Sequence, residues 1–339
     1  MPGAPGFWWR RPGLASALLW PFGAAVGVVA LHRMARAGGR VGAPVLCVGN
    51  PTVGGAGKTP TAIALLDLLA ARGARPFALL RGHGGSASEP LVVDPEHHGA
   101  DLVGDEALLL ARHAPTIVAG SRRLEGAALA VAAGATHIVM DDGFQNPSLH
   151  KDAAVLVVDG AVGAGNGCVT PAGPLRAPLG PQLARADAVL VMGPGVAGDA
   201  VARQAAAAGC AILHGSLAPD PAAVAALRGQ RLVAFAGIGR PEKFFATLEA
   251  EGLTVASRHP FADHHPYRPE ELARLAAEAQ ARGALLATTQ KDFARLSAAD
   301  RAALGPRIAV LPVTLRMAEA NALVALVARA EERFRAHAG

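Results

Sequence analysis

Thr52-Val53-Gly54-Gly55-Ala56-Gly57-Lys58-Thr59 decides how this chain is read. It follows the apolar run Pro44-Val45-Leu46-Cys47-Val48 and precedes Ala62-Ile63-Ala64-Leu65-Leu66-Asp67-Leu68-Leu69, a helical pattern. A strand, a glycine-rich turn and a helix opening on Gly-Lys-Thr make a phosphate cradle. Glycines let backbone N–H groups point inward at phosphate oxygens, and the helix N-terminus adds partial positive charge. In such a loop the lysine reaches the β/γ-phosphates and the threonine hydroxyl ligates Mg²⁺. Residues 52–59 are therefore expected to hold a nucleoside triphosphate. Thr52 stands where the usual pattern has glycine, but Gly49 and Gly54 flank it. Pro60 falls in the first helical turn, where the missing N–H costs no bond.

Outward from this turn, short β-rich runs alternate with helical patterns almost to the end. The strand expectations are 76–80, 116–118, 137–140, 154–158, 188–192, 211–214, 231–236, 254–259, 284–288 and 308–311. Continuous apolar runs without alternation mark strands covered on both faces, hence a mainly parallel sheet. Helices are expected at 122–132, 201–208, 269–280 and 319–333, the last with Leu323, Leu326, Val327 and Ala330 on one face. The class is α/β, a P-loop NTPase-like sheet with a second, smaller α/β domain. The expected division is 1–40 as an apolar membrane-associated segment, 41–225 as the phosphate-loop domain and 226–339 as the smaller domain. The glycine- and proline-rich stretch 160–181 is too long for an ordinary connection and reads as functional or disordered.

Half of the 339 residues are apolar and 17% are charged, with a net charge of +5. That balance admits nucleotide, anionic lipid or nucleic acid as partners. Nucleic acid fits worst, because aromatics make up only 4% and there is no lysine-rich tract. Three cysteines far apart, Cys47, Cys168 and Cys210, give neither a disulfide framework nor metal-site spacing.

Residues 14–31 contain no charged side chain, and arginines stand on both sides: Arg10 and Arg11 before, Arg33, Arg36 and Arg40 after. Trp8, Trp9 and Trp20 are all the tryptophans of the chain. Signal peptide, buried core helix and membrane anchor all match an apolar run of this length. Tryptophan and arginine at its ends favour the membrane–water interface. Pro21 and Gly23 are expected to interrupt the span, which favours partial insertion over a full crossing.

Candidate chemistry lies at four places. His137-Ile138-Val139-Met140-Asp141-Asp142 is an apolar strand ending in two carboxylates, suited to a Mg²⁺ shell beside a phosphate loop. Asp105, in Gly104-Asp105-Glu106, reads equally as a helix N-cap. Asp263-His264-His265 offers imidazoles that, with a carboxylate, could deprotonate a hydroxyl. Arginines recur in loops, at Arg81, Arg122, Arg123, Arg176, Arg240 and Arg268, where guanidinium suits phosphate.

Together these pieces resemble the tetraacyldisaccharide 4′-kinase family. The matching runs are 48–60, Val103-Gly104-Asp105-Glu106, Asp141-Asp142-Gly143-Phe144-Gln145, Pro171-Ala172-Gly173-Pro174-Leu175-Arg176, Ala236-Gly237-Ile238-Gly239-Arg240-Pro241, Phe261-Ala262-Asp263-His264-His265 and Thr288-Thr289-Gln290-Lys291-Asp292. The resemblance implies transfer of the ATP γ-phosphoryl group to the 4′-hydroxyl of a tetraacylated glucosamine disaccharide 1-phosphate, at the cytoplasmic face of the inner membrane. A soluble NTPase switch and a small-molecule kinase or ligase are the competing readings. It further implies a cradle of Thr52, Val53, Gly54, Gly55, Ala56, Gly57, Lys58 and Thr59 for ATP, and Mg²⁺ on Thr59, Asp141 and Asp142. Lys58 would act on the phosphates in catalysis, Asp105 with His264 would deprotonate the sugar, and Gln145, Asn146 and Arg176 would meet the acceptor. The partners implied are the lipid substrate and a membrane surface, with no nucleic acid and no obligate protein. Asn146, Ala177 and Gln290 replace the histidine, glutamate and glutamate usual in the family, so no titrating role is expected of them.

Overall fold

The computed structural model describes residues 4–319 and 321–338. The described elements run in this order: α1 (Leu14–Met34), β1 (Val45–Gly49), α2 (Lys58–Ala71), β2 (Pro76–Leu80), β3 (Leu91–Val92), α3 (Ala100–Val103), α4 (Asp105–Leu110), β4 (Thr116–Val118), α5 (Arg123–Ala132), β5 (His137–Asp141) and β6 (Ala153–Asp159). They continue with α6 (Leu179–Leu183), β7 (Ala188–Met192), α7 (Val196–Ala207), β8 (Ala211–Pro219), α8 (Pro221–Leu227), β9 (Arg231–Ala236), α9 (Pro241–Ala250), β10 (Thr254–Pro260), α10 (Pro269–Ala281) and β11 (Leu285–Thr289). The last are α11 (Gln290–Arg295), α12 (Ala298–Leu304), β12 (Ile308–Leu311), β13 (Val313–Met317) and α13 (Ala322–Ala338).

Nine strands form one sheet in the order β13-β8-β7-β6-β1-β5-β2-β4-β3. Its seven inner strands are parallel, and β13 and β3 close the edges antiparallel. The continuous apolar runs have the expected cause: all five residues of β1, β2 and β7 are buried, because helices cover both faces. Leu65, Leu66 and Leu69 of α2 share one core with Leu323, Leu326 and Val327 of α13. On the other face Ala127 and Ala130 of α5 and Val201 and Ala205 of α7 share a second core.

The second sheet is all parallel, in the order β10-β9-β11-β12. Phe244, Phe245 and Leu248 of α9 cover one face, and Leu272 and Leu275 of α10 the other. The continuous division 226–339 needs correcting, because the chain leaves this sheet after β12. Pro312 turns it into β13, which pairs with β8 from Val313↔Pro219 to Met317↔Gly215, and α13 then packs on the large sheet. We place the smaller unit at residues 221–312, and the last strand and helix with the larger one. The physical reason is the apolar face of α13, which completes the core over β1 and β6.

The N-terminal run also differs from expectation. α1 is continuous through Pro21 and Gly23. Its buried residues are Ser16, Gly23 and Gly27, which lie on one helix face. A Cβ on Gly23 would come within 2.6 Å of the Val169 carbonyl, and one on Gly27 within 3.5 Å of the Pro178 ring. Small residues thus let the helix backbone rest on segment 166–178. The long stretch 160–181 is accordingly ordered by use: Asn166 Nδ2 donates to Ser16 Oγ at 2.9 Å and to the Ala172 carbonyl at 2.9 Å, and Trp8 Nε1 donates to the Pro171 carbonyl at 3.0 Å.

Candidate active site

The Thr52–Thr59 turn leaves the C-terminal end of β1, between its parallel neighbours β5 and β6, where the order of strands in the sheet reverses, the place at which such sheets bind ligands. Gly57 has φ +99°, a left-handed conformation that favours glycine. It puts Lys58 at the start of α2. Thr52 is explained by its neighbours. It makes a bridge to Leu175, Val53 N donates to the Pro174 carbonyl at 2.8 Å, and Arg176 N donates to the Pro51 carbonyl at 2.9 Å. The first position of the turn is thus extended backbone paired with segment 171–176, which any β-tolerant residue can adopt. Asn50 Nδ2 donates to the Gly54 carbonyl at 3.0 Å and Lys58 Nζ lies 3.5 Å from the same oxygen.

Asp141 ends β5, in register with Val48. Thr59 Oγ1 donates to its Oδ2 at 2.9 Å, whereas Oδ1 is buried without a partner among the described residues. Burial, and then the nearby Glu106 carboxylate, push the Asp141 carboxyl up to about 7, against the pull of Lys58. A buried carboxylate oxygen with no hydrogen bond, next to a threonine hydroxyl, is what a hard cation would satisfy. The donor set fits Mg²⁺, which keeps several waters and needs few protein ligands.

Asp142 does not stand beside Thr59. Its backbone is left-handed (φ +53°), and its carboxylate takes both guanidinium nitrogens of Arg176, at 2.9 and 3.1 Å. Lys58 Nζ lies 3.9 Å from it. Burial alone would raise its pKa, but Lys58 and Arg176 outweigh that and hold the carboxyl below its ordinary value. The expected metal ligand and the expected acceptor-binding arginine are therefore partners of each other. Gln145 is also committed internally: its Nε2 donates to the Asn50 carbonyl at 2.9 Å and to Gln182 Oε1 at 2.8 Å. Asn146 turns away, its Oδ1 accepting from Ser148 N at 2.9 Å and from Ser148 Oγ at 2.6 Å.

The second half of the site joins the two sheets. Gly104 (φ +83°) sits where a Cβ would meet the His83 carbonyl at 2.6 Å. It delivers Asp105 buried at the head of α4. Oδ1 accepts from Glu106 N at 2.9 Å, but Gly104 holds the N-cap position and no side chain caps the helix, so the N-cap reading of Asp105 does not hold. Oδ2 faces the smaller unit, where Arg295 Nε donates at 2.6 Å and His264 Nδ1 lies at 3.1 Å. Lys291 Nζ is 4.0 Å from that oxygen, 3.2 Å from Glu106 Oε1 and 3.4 Å from His264 Nε2. Burial would raise the Asp105 pKa, but His264, Lys291 and Arg295 prevail and hold it well below the usual carboxylate range.

Asp292 organises this corner. Fully buried, its Oδ1 accepts from Gly237 N at 2.9 Å, Tyr267 OH at 2.8 Å and Arg295 Nη1 at 2.8 Å. One carboxylate thus ties segment 237–241, the His264 loop and α11 together. Arg240 and Lys243 both reach Asp159 at the end of β6, the lysine at 3.0 Å, a second link between the units. Sequence reasoning passed over Lys291, Arg295, Glu106 and Tyr267. One signal was available: Lys291 and Arg295 are four apart on a helix, so they share a face. Of the loop arginines, Arg122 is half-buried and paired with Glu89 and Glu125, whereas Arg123 is buried. Among the described residues no three His, Cys, Asp or Glu side chains cluster as a metal cage.

The candidate site therefore has three parts: an amide cradle with Lys58, a cation position at Thr59 and Asp141, and a carboxylate–imidazole pair. Asp141 and the pair are linked through Glu106, which acts on Asp141 and contacts Lys291.

Comparison with known proteins identifies the family and the fold. A sequence profile of the family described as Tetraacyldisaccharide-1-P 4′-kinase matches residues 15–331. A tetraacyldisaccharide 4′-kinase of Xanthobacter autotrophicus is 72% identical over 340 residues, covering 98% of each chain. Namesakes from Azorhizobium caulinodans and a Methylobacterium species are 53% and 55% identical, covering 97% and 99% of each chain. The crystal structure of an "apo" form of LpxK from Aquifex aeolicus in complex with ATP superposes with a TM-score of 0.72 at 23% identity, covering 94% of this chain and 99% of that one. At that identity the match shows a common fold.

Proposed function

Because the chain belongs to the tetraacyldisaccharide-1-P 4′-kinase family, we propose that it transfers the γ-phosphoryl group of ATP to the 4′-hydroxyl of a tetraacylated glucosamine disaccharide 1-phosphate. The observation that supports this reading is the contact between the units: His264 and Arg295 of the smaller unit meet Asp105 of the cradle's own unit, and Lys291 meets Glu106 beside it. A phosphoryl donor and a sugar acceptor need that juxtaposition.

The amides of 53–59 hold the triphosphate, and Lys58 neutralises charge on its β/γ oxygens. Thr59 and the oxygen of Asp141 unpartnered among the described residues would hold Mg²⁺, which would supply charge neutralisation for the phosphates. Arg176 and Asp142 brace the loop wall; Asp142 remains a candidate for the metal environment once Arg176 turns to an anion. Phosphoryl transfer asks more for positioning than for strong basicity. The dyad supplies that modest basicity. Asp105 has little room or basicity of its own, since Arg295 and His264 occupy one oxygen. It fixes the imidazole, and His264, the more exposed partner, takes up the hydroxyl proton. Water must be kept out, and the Arg240–Asp159 and Asp105–Arg295 links favour an approach of the two units over the cradle.

The acceptor is a lipid, so the enzyme must reach a bilayer. α1 has a mean hydropathy of 2.0 over its apolar window. Its outer face exposes Leu14, Leu18, Trp20, Phe22, Val28 and Val29. A helix docked lengthwise on the body by Ser16, Gly23 and Gly27 suits a monotopic attachment, its apolar face in the interface. On this reading the enzyme works on the cytoplasmic face of the inner membrane, where ATP is found. Incubation of the purified chain with γ-labelled ATP and the tetraacyldisaccharide 1-phosphate tests the proposal. Label must appear on the lipid 4′ position; label released only as inorganic phosphate would favour a nucleotide hydrolase instead.

A further inference from the structure

A cavity of about 200 Å³ lies beside the N-terminal ends of β6 and β7, away from the nucleotide cradle at the opposite ends of the strands. Arg36, just beyond α1, lines it together with Lys151, Arg185 and Arg333. The one carboxylate on its wall, Asp187, is already engaged: Oδ2 accepts from Ala154 N at 2.8 Å, and Oδ1 lies 2.9 Å from Arg333 and 3.4 Å from Arg329. Lys151 is half-buried, and among the described residues its ammonium is held only by the carbonyls of Asn146 and Leu149. Burial lowers its pKa accordingly. An ammonium taken from water without a carboxylate, opening onto a cavity with three guanidinium groups, is an incomplete charge arrangement. The missing element is an anion. Asn146, expected against the sugar acceptor, lines this cavity instead.

We propose that this cavity is a phosphate-binding site at the foot of α1. Guanidinium groups recognise phosphate bidentately. α1 itself ends at Met34, which lines the cavity, and its exposed apolar side chains run to Val29, so a helix lying in the bilayer interface brings the cavity to headgroup depth. Juxtamembrane basic clusters attract anionic headgroups at roughly 1 kcal/mol per side chain. A lipid phosphate and free phosphate present the same chemistry to these residues. The proposal does not depend on the identity of the phosphoryl acceptor.

The test uses the full chain with its nucleotide cradle saturated by a non-hydrolysable ATP analogue, so that phosphate cannot register there. Inorganic phosphate is titrated by calorimetry. In parallel, flotation is measured with phosphatidylcholine vesicles with and without phosphatidylglycerol. The variants are Arg36→Glu/Arg185→Glu in one chain, Lys151→Met in another, and Arg10→Glu/Arg11→Glu as a control for charge reversal outside the cavity. Phosphate binding that both cavity variants abolish establishes a site for phosphate itself. Absence of phosphate binding, with a loss of phosphatidylglycerol-dependent flotation at least tenfold greater in the cavity variants than in the control, establishes a headgroup site. Equal losses in all three variants, with no phosphate binding, overturn the proposal. Lys151→Met removes no exposed arginine and keeps the test decisive if the double variant fails to fold.

Discussion

Thr59 Oγ1 donates to one oxygen of Asp141 at 2.9 Å, and the other oxygen of that carboxylate is buried with no partner among the described residues. A group so placed weakens the fold in order to be ready for a ligand, and the consequence is measurable. Its pKa is raised to about 7, so its contribution to stability is retained at low pH and lost as the pH rises through that value. Asp141→Asn is therefore expected to raise the melting temperature of the metal-free protein at pH 8, by the equivalent of about 1–3 kcal/mol, and to leave it nearly unchanged at pH 5. Activity should fall by at least a hundredfold. Mg²⁺ should stabilise the parent chain and not the variant; equal stabilisation of both would remove Asp141 from the metal site.

Asp105 behaves in the opposite sense. Its folded-state pKa lies below the ordinary 3.8, so it contributes stability above that value and loses it as acid protonates the folded state. Asp105→Asn should flatten the acid limb of the stability–pH curve. Asp105→Ala should lower stability by about 1–3 kcal/mol, because the buried Arg295 side chain loses one of its two carboxylates and keeps only Asp292. From sequence, loss of turnover with little loss of fold is the expectation for this change; the buried ion network makes the cost to the fold substantial. Denaturant titration of both variants across pH 3–8 decides the matter.

Lys58→Ala removes the only phosphate-directed ammonium of the cradle without touching a core contact. Turnover should fall by about 10³-fold or more, with an unchanged circular dichroism spectrum and a melting temperature lowered only modestly, through the loss of the charge beside Asp142. His264→Gln should reduce kcat by about 10²–10⁴-fold and change the affinity for ATP by less than threefold. Comparable losses in kcat and in nucleotide affinity would make His264 a ligand to the nucleotide or a structural support.

The two faces of α1 should separate under mutation. Gly23→Leu forces a side chain against the Val169 carbonyl, where even a Cβ meets it at 2.6 Å, and should destabilise the protein by about 1–3 kcal/mol. Leu18→Glu, on the exposed face, should leave the melting temperature alone and weaken vesicle association. Retention of full vesicle binding by Leu18→Glu would place the attachment elsewhere.

Asp292→Asn tests whether the smaller unit is organised from one buried carboxylate. Three donors converge on its Oδ1, from Gly237, Tyr267 and Arg295. The variant should raise the KM for the acceptor and lower kcat, with ATP affinity held, since the cradle lies on the other sheet. A change confined to ATP affinity would contradict this.

Much of this molecule was written locally in the chain. The strand–turn–helix at 45–71 and the apolar runs of the parallel sheet are properties of neighbours, so periodicity and glycine placement disclose them. The same holds for Asp141 at the end of its strand, which a continuous apolar run points out. The smaller unit was legible as an α/β pattern, but the return of β13 and α13 to the large sheet was not, because nothing local in 313–338 states which sheet its apolar face will cover. Only the tertiary structure decided that Asp142 faces Arg176, that Gln145 braces Asn50, and that Arg295 and Lys291 close on Asp105 from a helix 190 and 186 positions away. Sequence supplies residue types and local geometry. The partner of a charge depends on which segments the folded core brings within a few ångströms, and burial then makes that choice costly to leave unmade.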